Sequence, residues 1–261
     1  MSSYDTLALD RPAEHVLRVT LNRPQVANAL NTRMGEEMLA VFDALCAAPD
    51  SARCVILTGA GEKAFCAGGD LKQRLGMTDA EWQAQHLVFE RMVRAMLACP
   101  IPTIAAVNGA AYAGGFLLAQ MCDLCLAADH ARFAVTEAKV GRGAPWAAPL
   151  PWLVPPRAAL QILMTAEPIG AARAYEIGLV NEVVPAADLR RRTQEVARTI
   201  ATNAPLTVRA AKRMVYAAGD AVRGAVFDRA EAIWEPVYLS EDAQEGPRAF
   251  SERRPPRWQG R

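Results

Sequence analysis

Cys54-Val55-Ile56-Leu57-Thr58 is a short, continuous apolar run, and a glycine loop carries it on to Phe65-Cys66-Ala67-Gly68-Gly69-Asp70. An unbroken apolar run of this length predicts a strand covered on both faces, as in a parallel sheet. Ala67-Gly68-Gly69-Asp70 lets the backbone turn sharply and approach a neighbour closely, and Asp70 is placed to cap a helix from Leu71. The same order returns downstream. Thr103-Ile104-Ala105-Ala106-Val107 predicts a second buried strand, ending at Asn108-Gly109. Ala113-Gly114-Gly115 is a second turn, Phe116 to Met121 a short apolar helix, and Asp123 to Ala128 a third strand. Strand, glycine turn, helix and strand in repetition is crossover-connected α/β logic, with ligands expected at the loops after the strands.

Upstream, Tyr4 to Leu9 and His15 to Leu21 read as strands split by Arg11-Pro12. Asn31 or Thr32 caps a helix over Arg33 to Ala47, with Met34, Met38, Val41, Phe42 and Leu45 at helical spacing. Thr78-Asp79-Ala80-Glu81 is a capping-box pattern opening a helix to about Ala98. Beyond Pro185 the strand signal ends. Asp188 to Asn203, Pro205 to Ala218 and Asp220 to Leu239 predict a helical tail of roughly sixty to seventy-five residues.

The 261 residues are 52% hydrophobic and 22% charged, enough for one large buried core and against global disorder. The net charge of +1 gives no support to nucleic-acid or membrane-surface binding. The N-terminus has no cationic stretch followed by an apolar run, so no secretory signal is expected. The stretch from Ile101 to Leu118 is broken by Asn108 and three glycines, which argues against a bilayer span. The six cysteines lie mostly inside apolar runs, which favours reduced core thiols and a cytoplasmic protein.

Gly59-Ala60-Gly61-Glu62-Lys63-Ala64 matches the G-x-G-x-x-A dinucleotide fingerprint. That fingerprint needs a helix beginning inside the motif, so that its N-terminus meets the pyrophosphate. Here Gly68 and Gly69 follow, each costing about 1 kcal/mol in a helix interior, so the nucleotide reading is set aside.

Backbone N–H groups at a helix N-terminus point outward and carry partial positive charge. Two such turns converging would offer a pair of donors to a developing oxyanion. Either turn alone is an ordinary strand-to-helix connection. Together with their surroundings they resemble the crotonase (enoyl-CoA hydratase/isomerase) superfamily. The matching stretches are Leu21-Asn22-Arg23-Pro24 with Asn28-Ala29-Leu30, Ala64 to Lys72, Ile101 to Gly109, and Gly114-Gly115 to Asp123. They continue with Ala131-Arg132-Phe133 and Glu137, Ala174 to Asn181, and Glu245-Gly246 with Ala249-Phe250. They run in the family's order over nearly the whole chain.

The resemblance implies an α/β fold, a crotonase-type spiral of ββα turns with a C-terminal helical trimerisation region. Residues 1–190 would be the core for acyl-CoA binding and catalysis, and 191–261 the oligomerisation region of a homotrimer or dimer of trimers. It implies an acyl-CoA thioester substrate and no separate cofactor, since coenzyme A enters as part of the substrate. The first oxyanion donor maps to the N–H of Ala67 and the second to the N–H of Gly114. Residues Ala67, Gly68, Gly69 and Asp70 would line the thioester site, and Ala29 would lie near the CoA adenine and pantetheine. Lys72, Arg23 and Arg74 are candidates for phosphates, each also readable as a solvated surface charge.

Hydratases of this family carry two glutamates, one three residues after the second hole glycine and one four residues after a phenylalanine. The second maps to Glu137 and the first to Leu117, which carries no proton. Syn hydration needs a held and activated water plus a delivered proton, a task for two carboxylates. A double-bond shift needs one base that removes a proton from one carbon and returns it two carbons away. A lone Glu137 fits the shift, as in the family's single-glutamate Δ3-Δ2-enoyl-CoA isomerases. Hydratase activity, other thioester chemistry and a catalytically silent acyl-CoA-binding scaffold are the alternatives. Without the resemblance, Glu137 reads as a helix-start glutamate stabilised by the dipole.

Gly141 to Trp146 and the prolines that follow are expected to wall the acyl pocket, with Trp146 and Trp152 shaping substrate choice or simply packing. His15, His86 and His130 are scattered and suggest no metal or triad. Cys122-x-x-Cys125, on a predicted buried strand, is assigned to core packing, and Asp123 to a structural role.

Overall fold

The computed structural model describes residues 4–74, 77–140, 144–147, 149–219, 240–242, 245, 249 and 252–261. The chain opens with an antiparallel hairpin of β1 (Leu7–Ala13) and β2 (Val16–Leu21). Arg11-Pro12 does not split the strands as the sequence suggested. The reversal comes at Glu14-His15, where His15 takes a φ of 59°. β1 is an edge strand, and its register shifts between Asp10 and Ala13, a position where proline's missing N–H is tolerated. Helix α1 (Thr32–Ala47) starts where the Asn31 side chain accepts the Met34 N–H at 2.9 Å, and it buries Met34, Met38, Val41, Phe42 and Leu45.

The chain then makes the same circuit three times. β3 (Cys54–Gly59) leads to β4 (Ala64–Cys66), α2 (Leu71–Arg74) and α3 (Asp79–Ala98). β5 (Thr103–Val107) leads to β6 (Ala110–Tyr112) and α4 (Gly114–Gln120). β7 (Leu124–Ala128) leads to β8 (Arg132–Ala134) and a 3-10 turn, Glu137–Val140. Each circuit places one long strand in a large sheet, steps across to a short strand in a second sheet, and returns through a helical segment. This is the spiral of ββα turns expected from the sequence. The Thr78 capping box is present: its side chain accepts the Glu81 N–H, and the Glu81 carboxylate accepts the Thr78 N–H.

The rest of the chain adds α5 (Leu150–Leu153), α6 (Pro156–Thr165), β9 (Ile169–Gly170), α7 (Ala171–Glu176), β10 (Glu182–Val184), α8 (Ala186–Thr202) and α9 (Pro205–Gly219). Among the described residues the large sheet runs β1-β2-β3-β5-β7-β10 and the small one β4-β6-β8-β9. From β2 to β10 the large sheet is parallel, and the unbroken apolar runs of β3 and β5 are buried on both faces. Because β3 is followed by β4 and no helix, Gly59 to Ala64 lacks the geometry of a dinucleotide fingerprint.

α8 lies against β3, β5 and β7 and buries Leu189, Thr193, Ala197 and Ala201, so residue 190 falls inside a helix that covers the large sheet. α9 is tied down by Lys212 Nζ, 2.8 Å from Asp123 Oδ2 and donating to the Ile101 carbonyl at 3.0 Å. Tyr216 donates to Asp123 Oδ1 at 2.9 Å, and the Thr103 backbone and hydroxyl donate to Oδ2, so Asp123 is structural, as expected. The expected helix over Asp220 to Leu239 lies outside the described residues. No helix among the described residues is long and apolar enough to cross a membrane.

Candidate active site

The three short strands β4, β6 and β8 pair in parallel, so their C-terminal ends lie side by side along one edge. Adjacent strands in a sheet are about 4.8 Å apart. β4 runs out into Ala67-Gly68-Gly69-Asp70, β6 into Ala113-Gly114-Gly115, and β8 towards Glu137. Three segments far apart in sequence are thereby delivered to one edge, the position where α/β sheets bind ligands.

In the first turn, the Ala67 amide donates to the Ala27 carbonyl at 3.0 Å. It is engaged within the protein and is not an available oxyanion donor, which corrects the assignment made from the sequence. Leu30 pairs across Gly69 instead, donating to the Gly68 carbonyl and accepting from the Asp70 N–H, both at 2.8 Å. That pairing turns the N–H of Gly69 away from Leu30, and this amide has no partner among the described residues. Gly68 has a φ of +100°, and a side-chain carbon on it would meet Ala113 Cβ at 2.8 Å and the Tyr112 carbonyl oxygen at 3.0 Å.

The second turn lies directly against the first. A side-chain carbon built on Gly114 would sit 3.6 Å from Gly68 Cα and 2.6 Å from Leu30 Cδ1. Helix α4 begins at Gly114, two residues earlier than the sequence reading, because Ala113 takes a positive φ of 48° and supplies the first helical acceptor, to Leu117. The Gly114 N–H is therefore one of the unpaired donors of a helix N-terminus, with no partner among the described residues. The turn is held to the third strand by the Ala113 N–H, which donates to the Ala134 carbonyl at 2.9 Å.

Glu137 opens its 3-10 turn half-buried, and its Oε2 is buried with no hydrogen-bond partner. A surface glutamate merely facing a helix dipole would be solvated. Burial raises the Glu137 pKa, opposed by its own backbone N–H, by the nearby positive charge of Arg74 and by the Thr136 N–H. Leu117 is buried within the apolar core of α4, so the described residues place no carboxylate there. Trp146 packs against Phe116 with ring centroids 6.2 Å apart, and the Gln120 side chain donates to its carbonyl at 2.6 Å. Trp152 is 69% exposed on α5, so it is not packed into the core. Gly141, Arg142 and Gly143 lie outside the described residues.

Arg23 is not a solvated surface charge. It pairs with Asp70 at 2.9 Å and donates to the Ala29 carbonyl at 2.6 Å, bracing the first turn against the 23–30 loop. Burial of Asp70 would raise its carboxyl pKa, but Arg23 and the N–H groups of Gln73 and Lys72 outweigh this and hold it below the usual range. Those two N–H groups mark Asp70 as the cap of α2, as expected. Ala29 is buried in the same loop, its amide and carbonyl both engaged. Asn28, fully buried with a φ of 55°, donates to the Ala60 and Ala64 carbonyls and so fixes the loop to the start of β4. Lys72 is exposed. Arg74, also read as a surface charge, instead folds onto Gly69. Among the described residues no cluster of histidine, cysteine and acidic groups suits a metal ion. Cys122 and Cys125 are free and buried, and burial pushes the Cys125 thiol up to about 12.

The Enoyl-CoA hydratase/isomerase family profile matches residues 11–261. The chain belongs to this family. It is 38% identical over 256 residues to the carnitinyl-CoA dehydratase of Proteus mirabilis, covering 94% of this chain and 95% of that one. It is 35% identical over 250 residues to the (E)-benzylidenesuccinyl-CoA hydratase of Thauera aromatica, covering 95% and 97%. The crystal structure of the enoyl-CoA hydratase from Bacillus anthracis superposes with a TM-score of 0.95 at 34% identity, covering 98% of this chain and all of that one. This is an enzyme of the hydratase/isomerase family, with the α/β fold of these structures.

Proposed function

We propose that the chain moves a double bond in the acyl part of a CoA thioester, with Glu137 as the one proton carrier. The thioester oxygen is held between the N–H groups of Gly69 and Gly114. Glu137 removes a proton from the α-carbon of a 3-enoyl thioester, and the electron pair delocalises onto that oxygen as a dienolate. The same carboxyl returns the proton at the γ-carbon, leaving the 2-enoyl product and a regenerated carboxylate. Two fixed donors stabilise the charged oxygen more than the neutral carbonyl, which is where the rate gain arises. The CoA moiety runs past Ala29 and the Gly68–Asp70 turn. The observation that carries this reading is the set of three neighbouring strand ends, which supply two amides without partners among the described residues and one half-buried carboxyl group. The apolar Leu117, at the position where the family resemblance puts a second acid, supports it.

A hydratase reading is favoured by the names of the relatives, which are hydratases and dehydratases. Assaying cis-3-enoyl-CoA and trans-2-enoyl-CoA side by side, with the wild type and Glu137→Gln, separates the two. Isomerisation abolished by the substitution supports the proposal. Hydration without isomerisation overturns it, as does tight binding of both thioesters with no turnover.

A further inference from the structure

We propose a second ligand site, for a small tetrahedral oxyanion of the phosphate class, at the end of the large sheet away from the glycine turns. A cavity of about 200 Å³ lies where β2 and β3 begin. It is lined by His15 and Arg53, the residues just before those strands, together with Asp50, Arg209 of α9, Gln259 and Gly260. The other end of β2 leads into the 23–30 loop that braces the first glycine turn, so the cavity is separate from the catalytic edge.

The charges in the lining are unbalanced: two guanidinium groups stand against one carboxylate. Arg53 is half-buried, and its guanidinium meets only carbonyl oxygens, donating to Ala201 at 3.3 Å and to Trp258 at 3.2 Å. Its other N–H groups have no partner among the described residues. Arginine withdrawn from water in this way ordinarily has an acidic partner, and a charge left without one is costly. The side chain of Arg209 is only 16% exposed, and its Nη2 lies 2.8 Å from Asp50 Oδ1. Asp50 is 79% exposed, so solvent screens much of that pairing. An anion in the cavity relieves the charge on both arginines.

The roof is fixed. The N–H groups of Gln259 and Gly260 donate to the two carboxylate oxygens of the buried Asp242, at 2.6 and 2.9 Å. Gly260 takes a φ of +73°, and a side-chain carbon on it would lie 3.6 Å from Arg209 Nη2 and 3.8 Å from Asp50 Oδ1. The size selects a small ion, since pockets for drug-sized ligands begin at about 300 Å³. The geometry selects a tetrahedral one. The donors come from separate elements, the start of β3 and α9, and a tetrahedral anion offers oxygens in several directions where a carboxylate offers two in one plane. Guanidinium forks match phosphate oxygens in pairs.

The test is calorimetric titration of the full chain with inorganic phosphate and with acetate, at constant ionic strength. The wild type is expected to bind phosphate saturably and acetate at least about 10-fold more weakly. Arg53→Gln should weaken phosphate binding about 10-fold or more, and Arg53→Lys by less, since lysine keeps the charge but not the fork. Asp50→Asn, on the surface, removes a competing carboxylate and no donor, and should tighten phosphate binding about 2- to 5-fold. A purely structural role for these residues would not produce that gain. Absence of saturable phosphate binding in the wild type overturns the inference. So does an unchanged affinity in Arg53→Gln, which would place the phosphate elsewhere, and so do acetate bound as tightly as phosphate or a weaker phosphate affinity in Asp50→Asn.

Discussion

Gly115 lies under the carbonyl of Cys66 so closely that a side-chain carbon on it would sit 2.0 Å from that oxygen. The contact joins the start of α4 to the end of β4, and so sets how the two glycine turns meet. Backbone on both sides leaves nothing to rotate away. Gly115→Ala is expected to destabilise the chain by about 3 kcal/mol or more and to abolish turnover, checked by denaturant unfolding and assay. Gly69→Ala, whose new carbon has the end of the Arg74 side chain and no backbone as its nearest neighbours, should lose less stability than Gly115→Ala. Equal midpoints for Gly115→Ala and the wild type would refute the contact.

Glu137 makes opposite demands on activity and stability. Its pKa is raised above the ordinary 4.5, so the folded state holds a proton that the unfolded state has already released. Stability credited to this group is present below 4.5 and is lost as pH rises through the folded value. Glu137→Gln should therefore raise the melting temperature at pH 7 and leave it little changed at acid pH, while kcat falls at least about 100-fold. The acidic limb of the wild-type kcat/KM profile should lie above 4.5.

Under the proposed isomerisation, Leu117 stands at the position where a second carboxyl would change the reaction. Leu117→Glu puts an acid three residues into α4, one turn along from the Gly114 amide. The ratio of hydration to isomerisation is expected to rise in this variant. The melting temperature should fall, because a charge is introduced at a buried position. A ratio that does not move would show that Leu117 does not face the reacting carbons.

Arg23 and Asp70 form a largely buried pair that braces the first turn. Arg23→Met should destabilise by about 2 kcal/mol, below the 3–5 kcal/mol for breaking a fully buried pair, because some solvent reaches it. Asp70 is held below the usual carboxylate range, so its contribution is present above 3.8 and is lost as pH falls through its folded value. The gap between the Arg23→Met and wild-type unfolding free energies should therefore narrow towards low pH. A gap constant with pH would remove the pair from the account.

The apolar runs at Cys54–Thr58 and Thr103–Val107 and the caps at Asn31 and Thr78 sufficed to place the parallel strands and long helices, because strand burial and helix capping are local. The three-residue strands β4, β6 and β8 were not legible, since segments that short carry no period and exist only by pairing with one another. Their side-by-side order is what brings Glu137 to the glycine turns. Glu137, Gly114 and Leu117 were singled out through the family resemblance, not by their local chemistry alone. That Ala67 is occupied and Gly69 available depends on a carbonyl at Ala27, far upstream in the chain, and that Arg74 lies on Gly69 depends on Gln85 from another helix. Local chemistry is written along the chain; which amide is left unpaired, and which charge stands beside it, is decided only when distant segments compete for the same hydrogen bonds.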